Sequence, residues 1–123
     1  MTAWTDEELD RIGAAEELQI APARLNGTLR KPVTIWVVRD RDDLYVRSYR
    51  GPGASWYRGS QVRHEGHIEA GGIEKDVIFA DVGHGLEAEV DAAYRQKYGR
   101  YARLVDQMVR PETQATTLKL VPR

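Results

Sequence analysis

The chain contains no cysteine, a single phenylalanine and two methionines. The absence of cysteine excludes a disulfide framework and a thiolate metal site. Long apolar runs are missing too. The longest, Val33-Thr34-Ile35-Trp36-Val37-Val38, is strand-sized, against the ~20 residues that a membrane-spanning helix requires, so no membrane partner is expected. Met1 to Asp10 is acidic where a secretion signal would be basic and then apolar, which makes the cytoplasm the expected compartment. Several chemical signatures are also lacking. There is no Walker loop, no Gly-x-Gly-x-x-Gly fingerprint, no Gly-x-Ser-x-Gly elbow and no serine with an evident histidine and carboxylate partner. His64 and His67 stand three apart with His84 distant, short of the spacing of a zinc ligand set, so no metal is expected.

What is present is ordinary in amount and uneven in placement. A chain of 123 residues, 41% hydrophobic and 30% charged, fits one globular domain over 1–123. The net charge of −1 conceals a polarity: residues 1–17 hold six acids against Arg11 alone, while Leu44 to His64 holds Arg47, Arg50, Arg58 and Arg63 and no carboxylate. Local rather than global basicity suits a small anionic ligand and disfavours nucleic acid. Arginine outnumbers lysine 14 to 4, and arginine is the planar, bidentate partner of phosphate and carboxylate.

The spacing of apolar residues predicts α+β. Thr5-Asp6-Glu7-Glu8 reads as a capping box that opens a helix to about Gly13. Leu18 to Leu25 reads as a strand, followed by a hairpin signal at Asn26-Gly27. Leu29 to Arg39 is the best strand, apolar on both faces in its second half, and Leu44 to Tyr49 alternates cleanly. Gly51-Pro52-Gly53 breaks that strand, and Ser55 is placed to cap a short helix through Gln61 or Val62. A second hairpin joins His67–Ala70 to Ile73–Val82 across Gly71-Gly72, with Val77 and Phe79 opposite to Ile78 and Ala80. Helical spacing follows from Leu86 to Tyr98 and again through Leu104, Val105 and Met108, ending before Pro111, and Thr116 to Val121 closes as a strand. Five or six strands joined by hairpins, with peripheral helices, make a small closed or partly closed antiparallel barrel.

The segment "RSYRGPGASWYRG" (residues 47–59) is the candidate site. A helix start offers unpaired N–H groups and partial positive charge, so arginines crowded there call for an anion or for solvent. Ser48 and Ser55 add hydroxyls, and Trp56 and Tyr57 add flat apolar surface. Two readings stand together: a site for a phosphorylated aromatic cofactor, or arginines pointing to water around Trp56 as a core plug. Tyr94, Tyr98 and Tyr101 read as a stripe packed against the sheet. Trp4 and Trp36 suit either the core or a subunit interface.

"RKPVTIWVVRDRDDLYVRS" (Arg30 to Ser48), followed by a glycine turn and "SWYR", resembles the core of the flavin-binding split-barrel superfamily, which includes pyridoxamine-phosphate-oxidase-like and deazaflavin-dependent nitroreductase-like proteins. More closely, "WTDEELDRIG", "PVTIWVVR", "DAAYRQKYGRY" and "TTLKLVPR" resemble an uncharacterised bacterial family, the domain of unknown function 2255. The resemblance implies an α+β fold with a small antiparallel split β-barrel, and flavin mononucleotide or a deazaflavin as cofactor. By it, Ser48, Arg50, Trp56 and Arg58 meet phosphate or ring. Lys31 or Arg47 is an added cation, and Thr34 and Trp36 line the cofactor. It further implies a homodimer and a possible reductase of small organic, quinone-like acceptors. The alternative is a non-enzymatic binding or interaction protein that keeps the barrel without the cofactor. Gly59-Ser60-Gln61 departs from the deazaflavin relatives, which usually carry an asparagine-containing helix after the tryptophan.

Overall fold

The computed structural model describes residues 3–123. A reciprocal capping box opens α1 (Asp6–Ala14), as the sequence predicts. Thr5 Oγ1 accepts the Glu8 N–H at 3.1 Å and Glu8 Oε1 accepts the Thr5 N–H at 2.9 Å. Its narrow apolar stripe, Leu9 and Ile12, is buried in the core.

Seven strands form one antiparallel sheet: β1 (Leu18–Pro22), β2 (Val33–Ile35), β3 (Val38–Asp40), β4 (Asp43–Val46), β5 (Glu65–Ala70), β6 (Ile73–Asp81) and β7 (Leu118–Pro122). Their order is β2-β1-β5-β6-β7-β4-β3. The count exceeds the five or six predicted because the segment expected as one strand, Leu29 to Arg39, is two. β2 pairs with β1 at one border of the sheet and β3 with β4 at the other. Only Trp36 and Val37 separate these strands, so the sheet must curl until its borders approach, which makes a half-barrel. Val37 leaves the ladder because helix side chains satisfy its backbone: the Tyr98 hydroxyl accepts its N–H at 3.3 Å and Lys97 Nζ donates to its carbonyl at 2.6 Å. Burial pushes the Lys97 ammonium down to about 8, opposed by the nearby Glu16 carboxylate.

The Asn26-Gly27 hairpin forms as expected. Gly27 takes a positive φ of 86°, and the Arg24 N–H donates to the Thr28 carbonyl at 2.8 Å. In β6, Val77 and Phe79 face inward and Ile78 outward, as their alternation predicts. Four more helices complete the chain: α2 (Ser55–Arg63), α3 (Glu87–Tyr98), α4 (Ala102–Met108) and α5 (Pro111–Gln114). One core fills the barrel, with Leu18, Ile20, Val46, Ile68, Phe79 and Leu120 beneath α1 and Trp56. A second lies between the β3–β4 border and α3–α4, built on Val38, Tyr45, Val90, Tyr94, Tyr98 and Met108. The tyrosine stripe therefore packs, with Tyr94 and Tyr98 buried and only Tyr101 at the surface. Trp4 is core and not an interface anchor; its indole N–H donates to the Leu120 carbonyl at 2.9 Å.

Cross-strand pairing gives His67 two acids. Its Nδ1 lies 2.9 Å from Asp76 Oδ1 and its Nε2 3.1 Å from Glu74 Oε1. The bond to Asp76 first, and that to Glu74 after it, raise the imidazole above its ordinary 6.5, against the opposing effect of burial. A raised value means the contribution is fully present below the unfolded value and is lost as pH rises through the folded one. Wild type is expected to exceed His67→Gln in stability by under about 1 kcal/mol at pH 6. Urea melts should show that gap closing by pH 8; a gap that widens with pH contradicts the pairing.

Candidate functional site

A cavity of about 830 Å³ opens at the seam of the half-barrel. One wall is β2 and its corner, with Val33, Thr34, Ile35 and Trp36. Facing it are the residues that follow β4, Arg47 to Arg50. The 3-10 turn Gly51–Gly53 and the start of α2 supply Gly53, Ala54, Ser55 and Trp56, and α4 closes the side with Leu104 and Met108. Among the described residues, the lining holds no carboxylate, no histidine and no cysteine.

The local sequence explains the geometry. Gly51 adopts φ 75°, a conformation natural to glycine, and its N–H donates to the Ser48 carbonyl at 2.8 Å. The Ser48 hydroxyl donates back to the Gly51 carbonyl at 2.7 Å, and the Ser48 N–H donates to Thr116 Oγ1 at 2.8 Å. The sequence expectation for the α2 cap needs correction. Ala54, in extended conformation, is the N-cap, Ser55 is the first helical residue, and no side chain caps the helix. The N–H groups of the first turn thus have no side-chain acceptor.

The arginines expected to converge part company. Arg47, the largest fully buried side chain, finds its counter-charge inside the protein: Nη1 meets Asp91 Oδ1 at 2.5 Å and the Met108 carbonyl at 2.9 Å, while Nε donates to Thr117 Oγ1 at 2.8 Å. Asp91 lies on α3, 44 positions along the chain, so an acid-free segment does not mean an acid-free environment. Arg50 lines the cavity and is exposed, with no ion pair among the described residues. Arg58 is exposed and Lys31 likewise, and neither belongs to the lining.

The remaining expected residues come together. Thr34 faces the cavity while its hydroxyl bonds Gln19, with Gln19 Nε2 donating at 2.8 Å. Trp36 lies flat on Tyr98, ring centroids 3.9 Å apart at an interplanar angle of 2°, so the ring against the cavity is held rigidly. Trp56 is buried in the barrel core and also walls the cavity, which makes it both plug and lining. Leu104 and Met108 were legible only as an apolar helical stripe. The one hint of another role is that Leu104 stays exposed.

A curled antiparallel sheet with a carboxylate-free cavity at its seam is a split-barrel architecture. Residues 8–120 match the family described as an uncharacterized protein conserved in bacteria (DUF2255), and the chain belongs to that family. Among curated proteins, none matches the sequence. Solved structures share the fold at low identity. HutZ, the heme storage protein from Vibrio cholerae, superposes with a TM-score of 0.64 at 15% identity, over 96% of this chain and 89% of its own. An F420 reductase gives 0.56 at 14%, over 98% and 94%. An FAD-binding protein from Mesorhizobium loti gives 0.58 at 12%, over 98% and 90%.

Proposed function

We propose that the cavity binds flavin mononucleotide or a deazaflavin and that the loaded protein reduces small organic acceptors. One observation carries this reading: a cavity of about 830 Å³ without acids, flanked by two indoles, ends on the uncapped start of α2 beside an unpaired Arg50. Helix N–H groups, the Ser55 hydroxyl and the Arg50 guanidinium form a phosphate cradle. Trp36 and Trp56 offer apolar faces to a flat ring, and Leu104 and Met108 keep the α4 side dry. A bound flavin or deazaflavin supplies hydride transfer; the chain positions it and excludes water. Heme would find neither histidine nor cysteine in the lining among the described residues, leaving Tyr49 and Met108 as the side chains able to meet its iron.

Titration of the purified protein with each cofactor, followed by fluorescence, tests the reading. Arg50→Ala is expected to weaken binding about tenfold, the weight of one charge-assisted hydrogen bond. Arg58→Ala, outside the lining, should leave affinity unchanged. No binding of either cofactor at high micromolar concentration overturns the proposal. The alternative, a non-enzymatic binding or interaction protein that keeps the barrel without the cofactor, is favoured by Arg47, whose neutralisation by Asp91 lets the site stand without a guest; failure of both cofactors to bind would select it. The reading carries a homodimer with it, which a monomer in sedimentation at micromolar concentration would refute.

A further inference from the structure

Away from the cavity, aliphatic and cationic side chains share one face. The Asn26-Gly27 hairpin carries Leu25 at its tip with 77% of its surface exposed, and Leu29 and, on α2, Val62 are exposed as well. Three contacts hold the tip in place. Arg63 Nη1 donates to the Leu25 carbonyl at 2.8 Å, Arg24 Nη1 donates to the Leu29 carbonyl at 2.8 Å, and the Thr28 N–H donates to Asn26 Oδ1 at 3.0 Å. Arg30 lies across α2, since a Cβ placed on Gly59 would fall 2.8 Å from its Cδ. Arg58 and Val62, four apart on that helix, continue the face next to Gly59 and Arg63.

The charge on this face is one-sided. Arg24, Arg30, Lys31 and Arg58 have no carboxylate partner among the described residues. The acid bound here, Glu65, is shared by Arg63 at 2.8 Å and Arg123 at 3.1 Å. The sequence has no carboxylate from Leu18 to Arg39, so both segments that build the face are purely basic.

We propose that this face, the Arg24–Lys31 hairpin with the outer side of α2, docks the protein on an anionic lipid bilayer, with Leu25 entering the headgroup boundary. Exposed aliphatics ringed by cations match an interface that is negative at its surface and apolar just beneath. A second copy of the chain fits poorly, because a two-fold contact would set these cations against themselves. Nucleic acid fits poorly as well, because the exposed apolar groups are leucine and valine and not rings that stack on bases. Having no helix long and apolar enough to cross a membrane, among the described residues, bears on crossing a bilayer and not on resting against one. The proposal does not depend on what the cavity binds.

Cosedimentation of the full chain with phosphatidylglycerol–phosphatidylcholine vesicles, and with vesicles of phosphatidylcholine alone, tests it. Binding is expected to the mixed vesicles only and to fade in about 0.5 M salt. Lys31→Glu with Arg58→Glu should lower partitioning at least about tenfold, and Leu25→Glu should lower it with the melting curve unchanged. A Leu25→Trp variant should shift its fluorescence to the blue on mixed vesicles, which loose attraction at a distance would not produce. Equal binding to both vesicle types, binding to neither, or salt-sensitive self-association abolished by the same variants would each overturn the proposal. So would tighter binding to duplex RNA than to mixed vesicles.

Discussion

Asp91→Ala is expected to destabilise the protein by about 3–5 kcal/mol, because it strands a buried guanidinium. Arg47 is 1% exposed and sits where β4, α3, α4 and the approach to β7 meet. Its nitrogens serve a carboxylate, a hydroxyl and a carbonyl, and Gln114 Nε2 donates to the second Asp91 oxygen at 2.9 Å. Removing the acid leaves the cation without charge compensation in a space that water reaches poorly. Arg47→Met combined with Asp91→Leu removes both charges and should cost clearly less than Asp91→Ala, since apolar replacement of a whole buried pair is often near neutral. Urea unfolding of the three proteins decides the matter. A loss below about 1 kcal/mol for Asp91→Ala, or a double variant worse than the single, would show that the pair does not anchor the second core.

Gly66→Ala is expected to cost about 3 kcal/mol, at the upper end of overpacking. Gly66 lies inside β5, paired to Pro22 on one side and Val77 on the other. A Cβ there would stand 2.5 Å from the Ala21 carbonyl oxygen, 2.9 Å from Pro22 Cα and 3.0 Å from Phe79 Cζ. Two of these atoms are backbone of the adjoining strand, so relief requires β1 to move and its ladder to stretch. A glycine within a strand often marks such an approach. Gly53→Ala is the control: nothing lies within 4 Å of its added carbon, and the substitution should be neutral or stabilise by up to ~0.5 kcal/mol through the unfolded chain. Thermal melts in which Gly66→Ala matches Gly53→Ala would contradict the tight contact.

The elements read from the sequence were those whose causes lie within a few residues. The α1 capping box, the Asn26-Gly27 turn and the helical tyrosine spacing are local devices, and each forms as its chemistry directs. The division of Leu29 to Arg39 is not local: neither Trp36 nor Val37 is a turn residue, and what bends the chain there is Tyr98 and Lys97, some 60 positions further on. The same reason hid the fate of Arg47. Local charge counting saw an arginine in want of an anion, while folding delivers Asp91 from α3. The part of the cavity built by the 47–59 segment was legible; the α4 wall was not, because Leu104 and Met108 look like any core-facing pair until the helix is docked.

The two-residue link through Trp36 and Val37 also bears on how such molecules behave when crowded. The margins of the sheet, β2 and β3, are three residues each, and each is tethered to the other across the seam. Little unpaired ladder is therefore offered to a neighbouring molecule, and neither margin can fray far without dragging its counterpart along. A fold whose sheet margins are this short and tied to one another gains by that arrangement a defence against amyloid-like strand addition.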